Sequence, residues 1–310
     1  MQPDLSVNLC GKKLKNPLIL ASGILGDTVH SLKSAVNCGL GGVVSKSTSW
    51  KPRKGHPKPW LVKIDNIGFL NAVGLANVGI EKEIEKLIRL RKLTLKKRPI
   101  IIASVFGPTI KDIAQLAKLV EKAKPDFIEV NASCPHVDST VKGSFYNSPQ
   151  AIKRLTEAVK RKASTPIIIK LSPNVENISL IAKAVEKGGA DAISAINTLG
   201  PGMKIDIKTG RTVLGNKIGG MSGPAVKPIA VRCVYQIAQT VKVPIIGMGG
   251  ITTGEDALEM IMAGASALGV GSAFYLKGKE VFENILDQMK ELMIKYKIKS
   301  LKEIKGKVFC

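Results

Sequence analysis

Aromatic and acidic residues are both scarce. Of 310 residues only 4% are Phe, Trp or Tyr, and 24 Asp and Glu stand against 47 Lys and Arg, a formal charge of +23. Nucleic-acid binding by stacking asks for aromatics interleaved with a basic patch. Here the lysines are dispersed along helical stretches such as 82–98 and 286–307, which reads as a solvated basic surface that also attracts anionic ligands. Five cysteines, at 10, 38, 134, 233 and 310, form no C-x-x-C or zinc spacing, and their odd number argues against a disulfide framework. A reducing, cytoplasmic compartment is therefore expected. His30, His56 and His136 show no ligand spacing, so no metal site is expected. Long hydrophobic runs are also missing. "LILASGIL" after Lys13 imitates a signal peptide but is short and lacks a cleavage pattern. The uncharged run of about 17 residues between Glu259 and Lys277 is cut by Gly264, Gly269 and Gly271, so no membrane span is expected.

What the chain does have is alternation. β-Branched apolar runs near 16–21, 42–47, 99–104, 126–131, 166–171, 191–196, 243–248 and 266–270 predict strands. Helical periodicity at about 29–38, 78–97, 110–123, 148–163, 177–188, 225–241, 254–263 and 279–295 fills the gaps. Strand followed by helix, repeated in this number, predicts an α/β fold, a (β/α)8 TIM barrel, with residues 1–310 as one domain. A doubly wound open sheet is the alternative. Two connections, 48–76 and 197–223, are too long for turns, and connections of that length inside a compact domain are usually functional. Within the second, "MKIDI" and "RTVLG" flank Lys208-Thr209-Gly210 and predict a small hairpin that lies as a lid at the C-terminal face.

In such a barrel the residues just past each strand converge on the active face. Reading them off gives Ser22, Lys46, Ser47, Ser104, Asn131 to Cys134, Lys170, Asn197, Thr198, "GMGG" at 247–250 and "GVGS" at 269–272. The two glycine-rich turns follow the seventh and eighth strands, where barrels hold phosphate with backbone N–H groups. The plainer reading is two tight turns. Lys46 and Lys170 are either snorkelling side chains at sheet ends or cations aimed at an anion in a common mouth. Asn71, Asn131 and Asn197 offer paired donors and acceptors to a planar amide-bearing ring, or serve as turn formers.

Cys134 follows the fourth strand and precedes Pro135. Neighbouring lysines favour a thiolate, and a thiol of pKa near 8.5 needs little shift to act as a base. Simple packing is the alternative. A dyad with His136 lacks an orienting partner.

The motifs "ASGI" at 21–24, "KSTSWKPRKGHPKPW" at 46–60, "NAVGLANVG" at 71–79, "NASCPHV" at 131–137, "IKLSPN" at 169–174, the stretch 196–232 and "IIGMGGITTGEDALEMIMAGASALGVGSA" at 245–273 together resemble the class 1 dihydroorotate dehydrogenases, in order and over nearly the whole chain. The resemblance implies an FMN-bearing barrel that oxidises dihydroorotate to orotate in pyrimidine biosynthesis. It implies that Cys134 is the base, that Lys46 touches both flavin and substrate, and that Lys170 lies beside the flavin's pyrimidine edge. Asn71, Ala72, Val73, Gly74, Leu75, Asn131, Asn197 and Thr198 resemble substrate contacts, with Asn131 also at the flavin. Ser22, Ser47, Ser104, Ile196, Gly223, Gly249, Gly250, Gly271 and Ser272 resemble cofactor contacts, Ser104 standing where many relatives have Asn. "GMKIDIKTGRTVLGNK" is similar to the NAD-linked class 1B form, which implies a homodimer within a heterotetramer whose second subunit carries FAD and a [2Fe-2S] cluster. The chain has no strand-G-x-G-x-x-G-helix element and no cysteine cluster, so NAD chemistry belongs to another protein. Two relatives of other specificity compete. One is a flavin barrel like that of dihydropyrimidine dehydrogenase; the other is an RNA-acting dihydrouridine synthase, which the charge invites but which usually carries a helical RNA domain.

Overall fold

The structure is a computed structural model that describes residues 2–132 and 147–309. A hairpin of β1 (Val7–Leu9) and β2 (Lys12–Leu14) precedes β3 (Leu18–Leu20), α1 (Val29–Asn37) and β4 (Gly42–Val44). β5 (Leu61–Ile64), β6 (Gly68–Asn71) and α2 (Ile80–Leu93) follow, then β7 (Ile100–Val105), α3 (Ile110–Val120), β8 (Phe127–Asn131), α4 (Pro149–Lys162), β9 (Ile167–Leu171), α5 (Ile178–Lys187) and β10 (Ala192–Ala195). Short strands β11 (Leu199–Gly202), β12 (Ile205–Asp206), β13 (Arg211–Thr212) and β14 (Gly219–Ser222) fill the second long connection. The chain closes with α6 (Lys227–Ala238), β15 (Ile245–Met248), α7 (Gly254–Met262), β16 (Ala267–Val270), α8 (Ala273–Lys277) and α9 (Val281–Lys295).

Strands β3, β4, β7, β8, β9, β10, β15 and β16 pair in parallel in that order and close on themselves, so every expected strand is present and the TIM barrel, not the open sheet, is the architecture. Closure leaves no unpaired edge. The period of two then sorts each strand. Ile128 and Val130 face the helices, as do Ile167, Ile169, Ile193 and Ile101. Phe127, Ile168, Ala192, Ile102, Ile19 and Ile246 fill the barrel, and Leu9 and Leu14 of the first hairpin plug its N-terminal end. Burying one ring such as Phe127 contributes about 2–3 kcal/mol. One step further along β7, β8, β9 and β10 the inward positions turn polar: Ser104, Glu129, Lys170 and Ser194, all buried. This change of character within a few ångströms lifts the chemistry to the C-terminal face.

Above that face lies a four-stranded antiparallel sheet, β11-β14-β6-β5, which joins the two long connections. The expected hairpin is there as β12 and β13, two residues each. Among the described residues no helix is long and apolar enough to cross a membrane.

Glu121, just after α3, accepts hydrogen bonds from the Ser164 and Thr165 amides at 2.7 Å each and pairs with Lys118 at 2.9 Å, tying α3 to the segment before β9. Burial opposes its ionisation, but these donors prevail and hold the carboxyl at about 2, below the ordinary 4.5. A carboxyl depressed in the fold stabilises it above the unfolded value and loses that contribution as pH falls through the folded one. Glu121→Gln is therefore expected to lower Tm near neutrality. The gap to the parent should close between about pH 4.5 and 2 in thermal melts; a pH-independent gap would contradict the assignment.

Candidate active site

Polar side chains from most barrel strands meet in a cavity of about 390 Å³ at the C-terminal face, within the roughly 300–1,000 Å³ typical of small-molecule sites. Its walls include Ser22, Lys46, Ser47, Asn71 to Leu75, Asn131, Lys170, Ile196, Asn197, Thr198, Gly223, Gly249, Gly250, Gly271 and Ser272. Residues up to 250 apart in the chain thus share one wall. Cys134, expected as the base, lies outside the described residues.

Asn131 ends β8 and donates from Nδ2 to Ser47 Oγ at 3.1 Å. Asn71 ends β6 opposite Gly220 of β14, so the added sheet delivers the 71–75 segment to the mouth. Asn197 accepts from the Thr198 amide at 2.9 Å through Oδ1. Asn174 donates to the Thr198 carbonyl at 3.2 Å and accepts from the Gly200 amide at 2.9 Å. The three asparagines that read singly as turn formers, with Asn174 beside them, thus line one space.

Lys170 is an inward residue of β9, 6% exposed. Among the described residues it makes no hydrogen bond or ion pair, although it lines the cavity. The stem is enclosed and the ammonium opens on the cavity, where a ligand would supply the acceptor that the described residues do not. Lys46 is different: its ammonium is paired with Asp27, whose side chain is 62% exposed against 16% for the lysine.

At the other end of the cavity the backbone itself forms the wall. Gly249 (φ +132°) and Gly250 (φ +75°) occupy conformations L side chains rarely adopt, and a Cβ would lie 2.6 Å from Ala230 Cβ and 2.7 Å from Lys227 Cβ respectively. The nearest cation is already committed. Lys227 binds Asp256 at 2.8 Å and Glu259 at 2.7 Å, and these hydrogen bonds raise its ammonium well above the ordinary value. An anion at this end would meet backbone N–H groups, the pattern of barrel phosphate sites.

Ser104 departs from expectation. It does not line the cavity; its hydroxyl lies 2.8 Å from Ser47 Oγ and donates to Glu129 Oε1 at 3.3 Å, behind the wall. It faces inward like the other members of its layer, but serine is too short to pass Ser47. Sequence reasoning in turn missed Asp27, Trp60, Asn174 and Tyr275, which also line the cavity. Extending the strand-end rule by one residue would have found Asn174; the two aromatics carry no local signal. Tyr275 reaches the wall from α8, its hydroxyl donating to the Ile24 carbonyl at 3.1 Å. Burial raises the Cys10 thiol to about 11, with Asp191 adding to the effect, and raises Cys38 and Cys233 as well.

Known proteins resemble this chain in sequence and in fold. The family model for dihydroorotate dehydrogenase matches residues 4–293. A protein of Methanothermobacter thermautotrophicus named dihydroorotate dehydrogenase B (NAD(+)), catalytic subunit, is 43% identical over 302 residues, which is 97% of each chain. One of the same name from Pyrococcus abyssi is 45% identical over 306 residues, 97% of this chain and 98% of its own. A crystallised dihydroorotate dehydrogenase of Eimeria tenella, in complex with ferulenol, has the same fold, with a TM-score of 0.84 over 99% of this chain and 89% of its own at 21% identity. With half of the chain far exceeded by the family match, and with relatives alike from end to end, the chain belongs to the dihydroorotate dehydrogenase family.

Proposed function

We propose that the chain oxidises (S)-dihydroorotate to orotate, a step of pyrimidine biosynthesis, in a cytoplasmic enzyme that uses FMN held in this barrel. The observation that carries the reading is the convergence of a largely enclosed lysine with no partner among the described residues, a second lysine and a set of asparagines on one cavity whose far wall is bare glycine backbone. That combination fits a phosphate-bearing planar cofactor. Gly249, Gly250, Gly271, Ser272 and Gly223 would hold its phosphate end, and Ser22, Ser47, Asn131, Ile196, Lys46 and Lys170 its ring. When bound, FMN supplies the acceptor for the hydride that leaves C6 of the substrate.

The remaining work falls to side chains. Cys134 takes the C5 proton; it is tethered to Asn131 by three residues, about 10 Å of chain at most. Asn71, Asn131, Asn197 and Thr198, with the backbone of Ala72, Val73, Gly74 and Leu75, bind and orient the pyrimidine ring. Lys46 meets the substrate carboxylate and Lys170 stabilises negative charge that develops on reduction. Electrons then leave to a partner subunit with FAD and a [2Fe-2S] cluster, in a heterotetramer built on a homodimer, with NAD as final acceptor.

A cation reserved for a carboxylate separates this reading from a dihydropyrimidine dehydrogenase. Dihydroorotate should reduce the flavin at least 100-fold faster than dihydrouracil, since a desolvated charge pair contributes several kcal/mol. Comparable rates would favour the rival.

The Asp27 pairing adds a second expectation. Asp27 competes with the ligand for Lys46, and a pair this exposed on one side is worth only about 0.2–1 kcal/mol. Asp27→Asn should tighten orotate by about two- to five-fold in a flavin absorbance titration. Weaker binding would show that Asp27 organises the lysine rather than competing for it.

A further inference from the structure

The buried polar layer of the barrel holds one ionisable group to which the reading above gives no task. Glu129 is the third residue of β8, points into the barrel and is 1% exposed. Its Oε1 accepts from Ser104 Oγ at 3.3 Å and its Oε2 from Ser194 Oγ at 2.9 Å. Among the described residues it forms no ion pair. Hydroxyl donors alone therefore offset the burial of this carboxylate.

Those donors have consequences higher up. A carboxylate only accepts, and each serine hydroxyl has one hydrogen. The Ser104 hydrogen is committed to Glu129, so across its 2.8 Å contact with Ser47 Ser104 must accept and Ser47 must donate. The Ser47 hydroxyl then has only lone pairs for its other neighbours, and it accepts from Asn131 Nδ2 at 3.1 Å. Ser22 does not disturb this sense, since its own hydrogen goes to the Ser45 carbonyl at 2.8 Å. The bonds from Ser104 through Ser47 to Asn131 thus run in one sense, set by an acceptor in the barrel core. With the sense reversed, the Ser47 hydrogen would be released toward the cavity, and Asn131 could meet that hydroxyl through either its nitrogen or its oxygen. Ser194 is bound to the other oxygen and lies off this path.

We propose that Glu129 is a positioning residue that, through Ser104, keeps the Ser47 hydroxyl an acceptor toward the cavity, so that the Asn131 amide meets it through Nδ2. The inference rests on the reading of the cavity as a flavin and dihydroorotate site. It assigns Ser104 a role behind the wall in place of the direct contact expected from its position.

The test uses the full chain reconstituted with FMN and compares E129L, S104A, S194A and the E129L/S104A double variant. FMN affinity is read from quenching of flavin fluorescence and orotate affinity from the shift of the flavin absorbance band. E129L and S104A are each expected to weaken orotate about ten-fold, the size of one well-oriented hydrogen bond. The double variant should be no worse than either, and S194A should stay within about two-fold. Equal losses in S104A and S194A, additive losses in the double variant, or unchanged affinity in E129L would overturn the proposal, because a packing role predicts those patterns. Should E129L not fold, the contrast between S104A and S194A still decides. If the parent protein binds FMN but shows no orotate shift, the assigned reaction fails, and the same order of variants in FMN affinity alone then supports or overturns the relay.

Discussion

Cys134→Ser is expected to keep FMN and to slow bleaching of the flavin by dihydroorotate by about 10²–10⁴ near neutral pH, the usual contribution of a positioned base. Acidity sets the size of the effect. A thiol near 8.5 is readily drawn down by cations, whereas an alcohol is a far weaker acid and accepts the C5 proton poorly until the pH is raised. The loss should therefore shrink as pH rises. The other described thiols offer no substitute, since burial pushes Cys10 up to about 11 and raises Cys38 and Cys233. Stopped-flow mixing under anaerobic conditions reads the rate directly. A rate equal to that of the parent, at neutral and at alkaline pH, would remove Cys134 from the chemistry.

Lys170→Met should have the next largest effect. Methionine keeps the length and removes the charge, so packing inside the barrel changes little. A lysine that is 6% exposed and unpartnered among the described residues has its energetic justification in what binds it. Removing one preorganised charge of this kind costs about 10²–10³ in rate at comparable sites. The variant should hold FMN with a lower midpoint potential and be reduced by dihydroorotate more slowly by that factor. An unchanged potential together with an unchanged rate would return Lys170 to a side chain that merely closes a strand.

The barrel was legible because its strands are β-branched runs buried on both faces, and "IIIKL" at β9 even shows by alternation that Lys170 points inward while Ile169 and Leu171 point out. Elements without such runs were not legible. The plug hairpin reads VNL and KKL, and the sheet over the mouth uses GGMS and LGPG, whose pairing comes from the tertiary partners they meet and not from local propensity. The five-residue α8 is too short to show a period. The site followed the barrel: residues just past the strands could be named in advance because closure brings them together. Ser104 shows the limit of that rule, since position along a strand does not tell whether a side chain is long enough to reach the cavity past Ser47. Glu129 shows another, because a single acidic residue in "FIEVN" looks like an error of pattern until two serine hydroxyls are seen to bond to it.

The central claim is that this barrel alone performs the oxidation while a second protein carries the electrons away. An anaerobic titration of the FMN-loaded chain with dihydroorotate tests it: the yellow colour should fade with one equivalent, orotate should form in step, and added NAD should stay oxidised until an FAD and [2Fe-2S] partner is supplied. A chain that takes up no FMN, or that stays yellow under excess dihydroorotate, would contradict the account.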